Sequence, residues 1–194
     1  MKKILIILFI YSFNTIHVQS IEPDVFVQST VNRASQILSK NISKEEKINE
    51  LKSIAKETVD IRGVGFYSLG SARKNLNDSQ KVKYSKLFEE YFLKSFSSRL
   101  AEYTNPEIQV NGKKVLNEKY TIVNSVLVAT SDRPEIKIDW RVYTKIPKEP
   151  LIRDLIIEGL SLARTQKEEF ASILNSNDGD VDALFKSLRD FSKK

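Results

Sequence analysis

The sequence predicts an α+β fold, with N-terminal helices, a central antiparallel sheet of about four to five strands, and C-terminal helices. Three observations carry this. Apolar residues recur at helical spacing through the first half of the chain. The pattern switches to period two between Ile108 and Leu160, and helical spacing returns after Thr165.

Before the first helix, residues 1–20 read as a secretory signal peptide. Lys2 and Lys3 form its basic start, and Ile4 to Tyr11 an apolar run too short to span a bilayer. Val18-Gln19-Ser20 suits cleavage near Ser20, leaving one domain over residues 21–194. In the first helix Val27, Val31, Ala34, Ile37 and Leu38 make one stripe. Ser43 and Glu46 form a capping box for the second, whose inner face is Ile48, Leu51, Ile54, Ala55 and Val59. Gly63 to Gly70 reads as a glycine-punctuated connector. Asn77 or Asp78 caps the third helix, which runs to about Tyr103 before Pro106, on the stripe Tyr84, Leu87, Phe88, Tyr91, Phe92, Phe96, Leu100 and Tyr103.

Ile108 and Val110 open the sheet, and Asn111-Gly112 is a favourable type I′ turn pair. Ile122, Val126 and Val128 alternate with Val123, Leu127 and Ala129, so that strand is apolar on both faces. Ile136, Ile138, Trp140 and Val142 alternate with more polar residues. Leu151 to Leu160 is again apolar on both faces around Asp154 and Glu158. Thr165 to Glu168 reads as a capping box ahead of Phe170, Ile173 and Leu174. Asp180 caps a last helix with Val181, Leu184, Phe185 and Leu188 inside.

Composition removes most reactive chemistry. The 194 residues include no Cys and one His, His17, which lies in the expected leader. Without the leader the chain has no thiol nucleophile, no Ser-His-Asp triad and no Cys- or His-ligated metal site. The formal charge then falls from +6 to +4, since only Lys2 and Lys3 are lost. Basic residues are scattered, with Lys113-Lys114 a small cluster; nucleic-acid binding fits poorly with export. Gly63-Val-Gly65 lacks the spacing of a phosphate loop.

Two constellations remain. The aromatics Tyr84, Phe88, Tyr91, Phe92 and Phe96 fit either an ordinary core helix or one wall of an apolar cavity, because two strands need apolar partners on both faces. Asp139, Asp154 and Glu158 sit in apolar strands, so either they pair with Arg141 or Arg153, or two of them share a site for acid–base chemistry. A small α+β enzyme and a protein-binding adaptor with a filled core thus both stay open beside a binding protein.

Three stretches resemble the MlaC family of periplasmic phospholipid-binding proteins, also called toluene-tolerance auxiliary proteins. They are Lys137-Ile-Asp-Trp140-Arg-Val, Arg153-Asp154-Leu-Ile-Ile-Glu158-Gly159-Leu-Ser161-Leu, and Thr165-Gln-Lys-Glu-Glu-Phe170-Ala-Ser-Ile-Leu. Asp154, Glu158-Gly159, Ser161, Lys167 and Phe170 match the family's order and spacing, and Asp180 to Arg189 is similar to its closing helix. Arg73 stands where the family commonly has Trp, and Lys167 where it has Arg.

The resemblance implies a twisted antiparallel sheet wrapped by helices and enclosing an apolar lipid cavity. It implies a periplasmic carrier moving phospholipid between an inner-membrane ABC transporter with a MlaD-type subunit and an outer-membrane MlaA-type lipoprotein with a porin, so maintaining outer-membrane lipid asymmetry. No cofactor is expected, only phospholipid as cargo. On that reading, Phe88, Tyr91, Phe92, Val126, Val128, Ile138, Trp140, Ile156 and Phe170 are the candidate lipid-binding residues.

Overall fold

Pro23 opens the first helix, where its missing N–H is one the first turn does not need. The computed structural model describes residues 20–103 and 105–193, so the leader call on residues 1–20 falls outside them apart from Ser20. Helix α1 spans Pro23–Ser39 and buries Val27, Val31, Ile37 and Leu38. Helix α2 spans Lys44–Thr58. Its capping box forms as expected: Glu46 N–H donates to Ser43 Oγ at 3.2 Å, and Ser43 N–H donates to Glu46 Oε2 at 2.9 Å.

Residues 63–70 do not form the expected connector. Helix α3 covers Ile61–Ser68, started by Asp60, whose Oδ1 accepts from Gly63 N–H at 2.8 Å. Tertiary packing overrides the poor helix propensity of its glycines. Gly65 lies against Phe88: a Cβ there would come within 2.7 Å of the ring. Gly65→Val is therefore expected to lower stability by roughly 1–3 kcal/mol through overpacking, measured by urea unfolding.

After a short 3-10 stretch at Gly70–Lys74, helix α4 runs over Asp78–Leu100. Asn77 and Gln80 form its capping box. It ends three residues before Tyr103, well ahead of Pro106.

Five strands follow in a meander of neighbours: β1 Ile108–Asn117, β2 Tyr120–Leu127, β3 Ile136–Tyr143, β4 Leu151–Ile157 and β5 Leu160–Ser161, all pairs antiparallel. Asn111-Gly112 is not the turn. It lies inside β1 at an irregularity of register, and the hairpin reverses between Asn117 and Tyr120. Positive-φ turn geometry appears instead at Glu158 (φ 49°) and Gly159 (φ 83°), which join β4 to β5. Both angles are what a two-residue type I′ turn requires, so the strand expected to reach Leu160 stops at Ile157.

Helix α5, Leu162–Asn175, starts one turn earlier than its expected cap. Ser161 caps it, its Oγ accepting from Arg164 N–H at 3.0 Å. Thr165 is inside the helix, and its hydroxyl donates to Ser161 O. Helix α6 covers Val181–Lys193 behind Asp180, whose Oδ1 accepts from Asp182 N–H.

The buried apolar side chains form three clusters. Helices α3 to α6 surround Tyr84, Phe88, Phe170, Leu184 and Phe185. Val27 and Val31 of α1 pack on the inner sheet face with Val123, Leu127, Ile138, Trp140, Val142 and Ile152. Ile37 and Leu38 meet Leu51 and Ile54 between α1 and α2. Gln28 of α1 also clips the free edge of β1, its amide oxygen accepting from Val110 N–H at 3.1 Å and its amide nitrogen donating to Ile108 O at 3.4 Å.

Candidate functional site: an apolar cavity between sheet and helices

Two neighbouring chambers lie where the three clusters fail to merge. The larger, about 330 Å³, is bounded by α4, α5 and α6 and by Trp140, Ile152 and Leu155 of the sheet. The smaller, about 130 Å³, lies between α1, α2, the end of α4 and the sheet, with Leu127, Ile138 and Ile157 among its walls. Val59, Phe96, Trp140, Ile152 and Leu155 line both, so the chambers share a wall.

Helix α4 builds the aromatic side. Tyr84, Phe88, Phe92 and Phe96 follow one another at intervals of four and face the same way. Their rings form a ladder with centroid spacings of 5.7, 6.1 and 5.5 Å. Tyr84 and Phe88 are fully buried, whereas Phe92 and Phe96 are half-buried and line the cavity. Phe170 of α5 meets Phe88 edge to face at 6.1 Å.

The sheet side depends on an irregularity in β4. Arg141 lies opposite Asp154 but Val142 opposite Ile152, so Arg153 is an extra residue. Ile152 faces the cavity before this bulge, and Leu155 and Ile157 face it afterwards. Trp140 contributes its ring without an orphaned donor: Nε1–H donates to Ser125 Oγ at 2.8 Å, and that hydroxyl donates to Ile138 O at 3.0 Å.

Of the nine candidate residues, Phe88, Tyr91, Phe92, Ile138, Trp140 and Phe170 are brought together around the cavity. The other three are not. Val126 and Ile156 lie on the outer sheet face, Ile156 directly opposite Asp139, and Val128 follows the end of β2. None of these three lines either chamber. Val31, Leu38, Leu51 and Ile54 supply a further wall; helical periodicity marks them as inward-facing but does not say which element they face.

Each strand carboxylate is committed to local structure. Asp139 Oδ1 accepts from Asn124 Nδ2–H at 2.8 Å. Glu158 Oε1 accepts from Lys137 N–H at 2.6 Å. Buried Asp154 accepts from Ser161 Oγ–H at 2.6 Å and Ala163 N–H at 2.9 Å, with Arg141 3.8 Å away. No pair of them converges in the cavity, so the arrangement needed for shared-proton chemistry is not built among these residues. Arg153 pairs with Asp60 and donates to Tyr120 Oη at 2.7 Å.

The cavity mouth is polar. Ser95 and Arg99 of α4 and Thr165, Gln166 and Glu169 of α5 line the larger chamber alongside exposed Leu162 and Phe191. Tyr91 Oη–H donates to Gln166 Oε1 at 2.8 Å, and Gln166 Nε2–H donates to Glu169 Oε2 at 2.9 Å. Burial foremost, then the Glu169 carboxylate, push the Tyr91 hydroxyl up, while its bond to Gln166 and the Arg99 charge pull it down.

A family model described as MlaC protein matches residues 28–190. The intermembrane phospholipid transport system binding protein MlaC of Haemophilus influenzae is 25% identical over 175 residues, covering 86% of this chain and 80% of its own. Among solved structures, a phospholipid-binding protein from Ralstonia solanacearum, in complex with a phospholipid, superposes with a TM-score of 0.75 at 17% identity. That match covers 89% of this chain and 98% of the other, and it shows a shared fold.

Proposed function

Because the chain belongs to the MlaC family, we propose that it is a phospholipid carrier that takes up acyl chains in the cavity and releases them unchanged. One observation carries the reading: the hydrophobic core is split, and apolar walls face space that no side chain fills. Burying an acyl chain contributes about 0.8 kcal/mol per CH₂, so a carrier that competes with a bilayer needs dry walls and no reactive groups. The adjoining chambers suit the two chains of a diacyl lipid, with Phe96 and Trp140 between them. Among the described residues, no helix is long and apolar enough to cross a membrane.

The carrier works in the periplasm after removal of the leader. It exchanges lipid with a MlaD-type ABC transporter complex at the inner membrane and a MlaA-type lipoprotein with its porin at the outer membrane. Support for the place and the partners is family membership together with the N-terminal sequence. The test is purification of the exported protein without detergent, then organic extraction and mass spectrometry. About one phospholipid per chain is expected; a protein that neither carries lipid nor takes it up from vesicles would overturn the reading.

A further inference from the structure

The mouth of the larger chamber holds one cation and one anion on facing helices. Arg99 projects from α4, one turn after Ser95, and Glu169 from α5, one turn after Thr165. Among the described residues neither has an oppositely charged side chain within ion-pair distance, although ten such pairs form elsewhere. The other charges in the wall are committed, Arg153 to the opposite charge of Asp60 and buried Asp154 to Ser161 and Ala163, whereas exposed Glu169 accepts from the neutral Gln166 amide. Tyr91 links the two helices at this rim: its hydroxyl donates to Gln166 Oε1 at 2.8 Å, Gln166 donates on to Glu169 Oε2 at 2.9 Å, and Arg99 lines the same chamber.

We propose that this rim selects zwitterionic phospholipid head groups over net-anionic ones, with the Arg99 guanidinium on the phosphodiester and the Glu169 carboxylate on the ammonium. The inference rests on the carrier reading above. With the acyl chains against Phe92, Phe96 and Trp140, the phosphodiester emerges at the polar rim. A guanidinium matches a phosphate in shape as well as charge. A head group with an ammonium satisfies both side chains. A glycerol head group satisfies Arg99 but leaves Glu169 facing a net negative lipid.

The test loads delipidated protein from vesicles containing equimolar phosphatidylethanolamine and phosphatidylglycerol with matched acyl chains. Bound lipid is then quantified by mass spectrometry. Exposed charge contacts of this kind predict a roughly two- to fivefold enrichment of phosphatidylethanolamine. Glu169→Lys should reverse the enrichment with total loading retained, and Arg99→Lys should keep its direction. Both residues are exposed, and thermal melts of the variants confirm folding. Loading in the proportions of the vesicle, unchanged by Glu169→Lys, would overturn the inference and leave the carrier reading standing. Loading of no lipid by the unaltered protein would overturn both.

Discussion

Stripped of lipid, the protein is expected to melt about 5–15 °C below its loaded form. A ligand at 100–1,000 times its dissociation constant stabilises the folded state by about 2.7–4.1 kcal/mol. For a domain of this size each kcal/mol moves the midpoint by roughly 2–4 °C. The sign follows from the split core, because the empty chambers leave apolar walls without partner atoms, which a bound chain supplies. Ala34→Phe separates this from a general effect of lipid. Ala34 lines the smaller chamber, so the new ring fills it from within. The variant should melt above unaltered delipidated protein, bind less phospholipid, and show a smaller shift on loading. Scanning calorimetry with and without lipid measures all three; equal midpoints for loaded and stripped unaltered protein would contradict the expectation.

The second large effect is at Asp154, whose side chain is 2% exposed. Its two oxygens hold Ser161, the cap of α5, and Ala163 N–H in the first turn of that helix. Asp154→Ala leaves both donors without their partner, the half-buried Ser161 hydroxyl and the buried Ala163 N–H. A loss of about 3 kcal/mol is expected, since hydrogen bonds to a charged group are worth about 1.5–3 kcal/mol each and the orphaned groups stay desolvated. Asp154→Asn keeps an acceptor and should lose less. Because α5 carries Phe170 and Gln166, loss of its anchor should also weaken lipid uptake under conditions where the chain is still folded. Urea titration gives the stability change, and a loss of unfolding free energy below about 0.5 kcal/mol would show that Asp154 does not organise this junction.

The α+β order was legible because it rests on periodicity, which long amphipathic elements express strongly. Most of the stripe residues of α1 and α2 are buried, with Ala34, Ile48 and Val59 half-buried, and the ladder of α4 stands where its spacing put it. What failed depended on partners distant in sequence. Gly63 and Gly65 read as a connector because the reason for the glycine at 65, the ring of Phe88, comes more than twenty residues later. The cavity face of the sheet was hidden for a similar reason. In β2 the inner residues Thr121, Val123, Ser125 and Leu127 are no more apolar than the outer Tyr120, Ile122, Asn124 and Val126. In β4 the extra residue Arg153 shifts the alternation, turning Leu155 and Ile157 inward and Ile156 outward. A bulge leaves no reliable mark in a single sequence when apolar residues flank it on both sides.

The Gln28 clip has a consequence for life in a crowded compartment. An outermost strand with free N–H and C=O groups is a template on which a second chain can lay down another strand. By occupying Val110 N–H and Ile108 O with a side-chain amide, α1 ends the sheet with something that cannot be extended. Lys113 continues the defence further along β1, tied to Glu22 and Asp24 at 2.6 and 2.7 Å. A molecule that sheds its cargo and exposes an apolar hollow at each round would gain most from such a barrier, because its empty form is the one most prone to stick to a copy of itself.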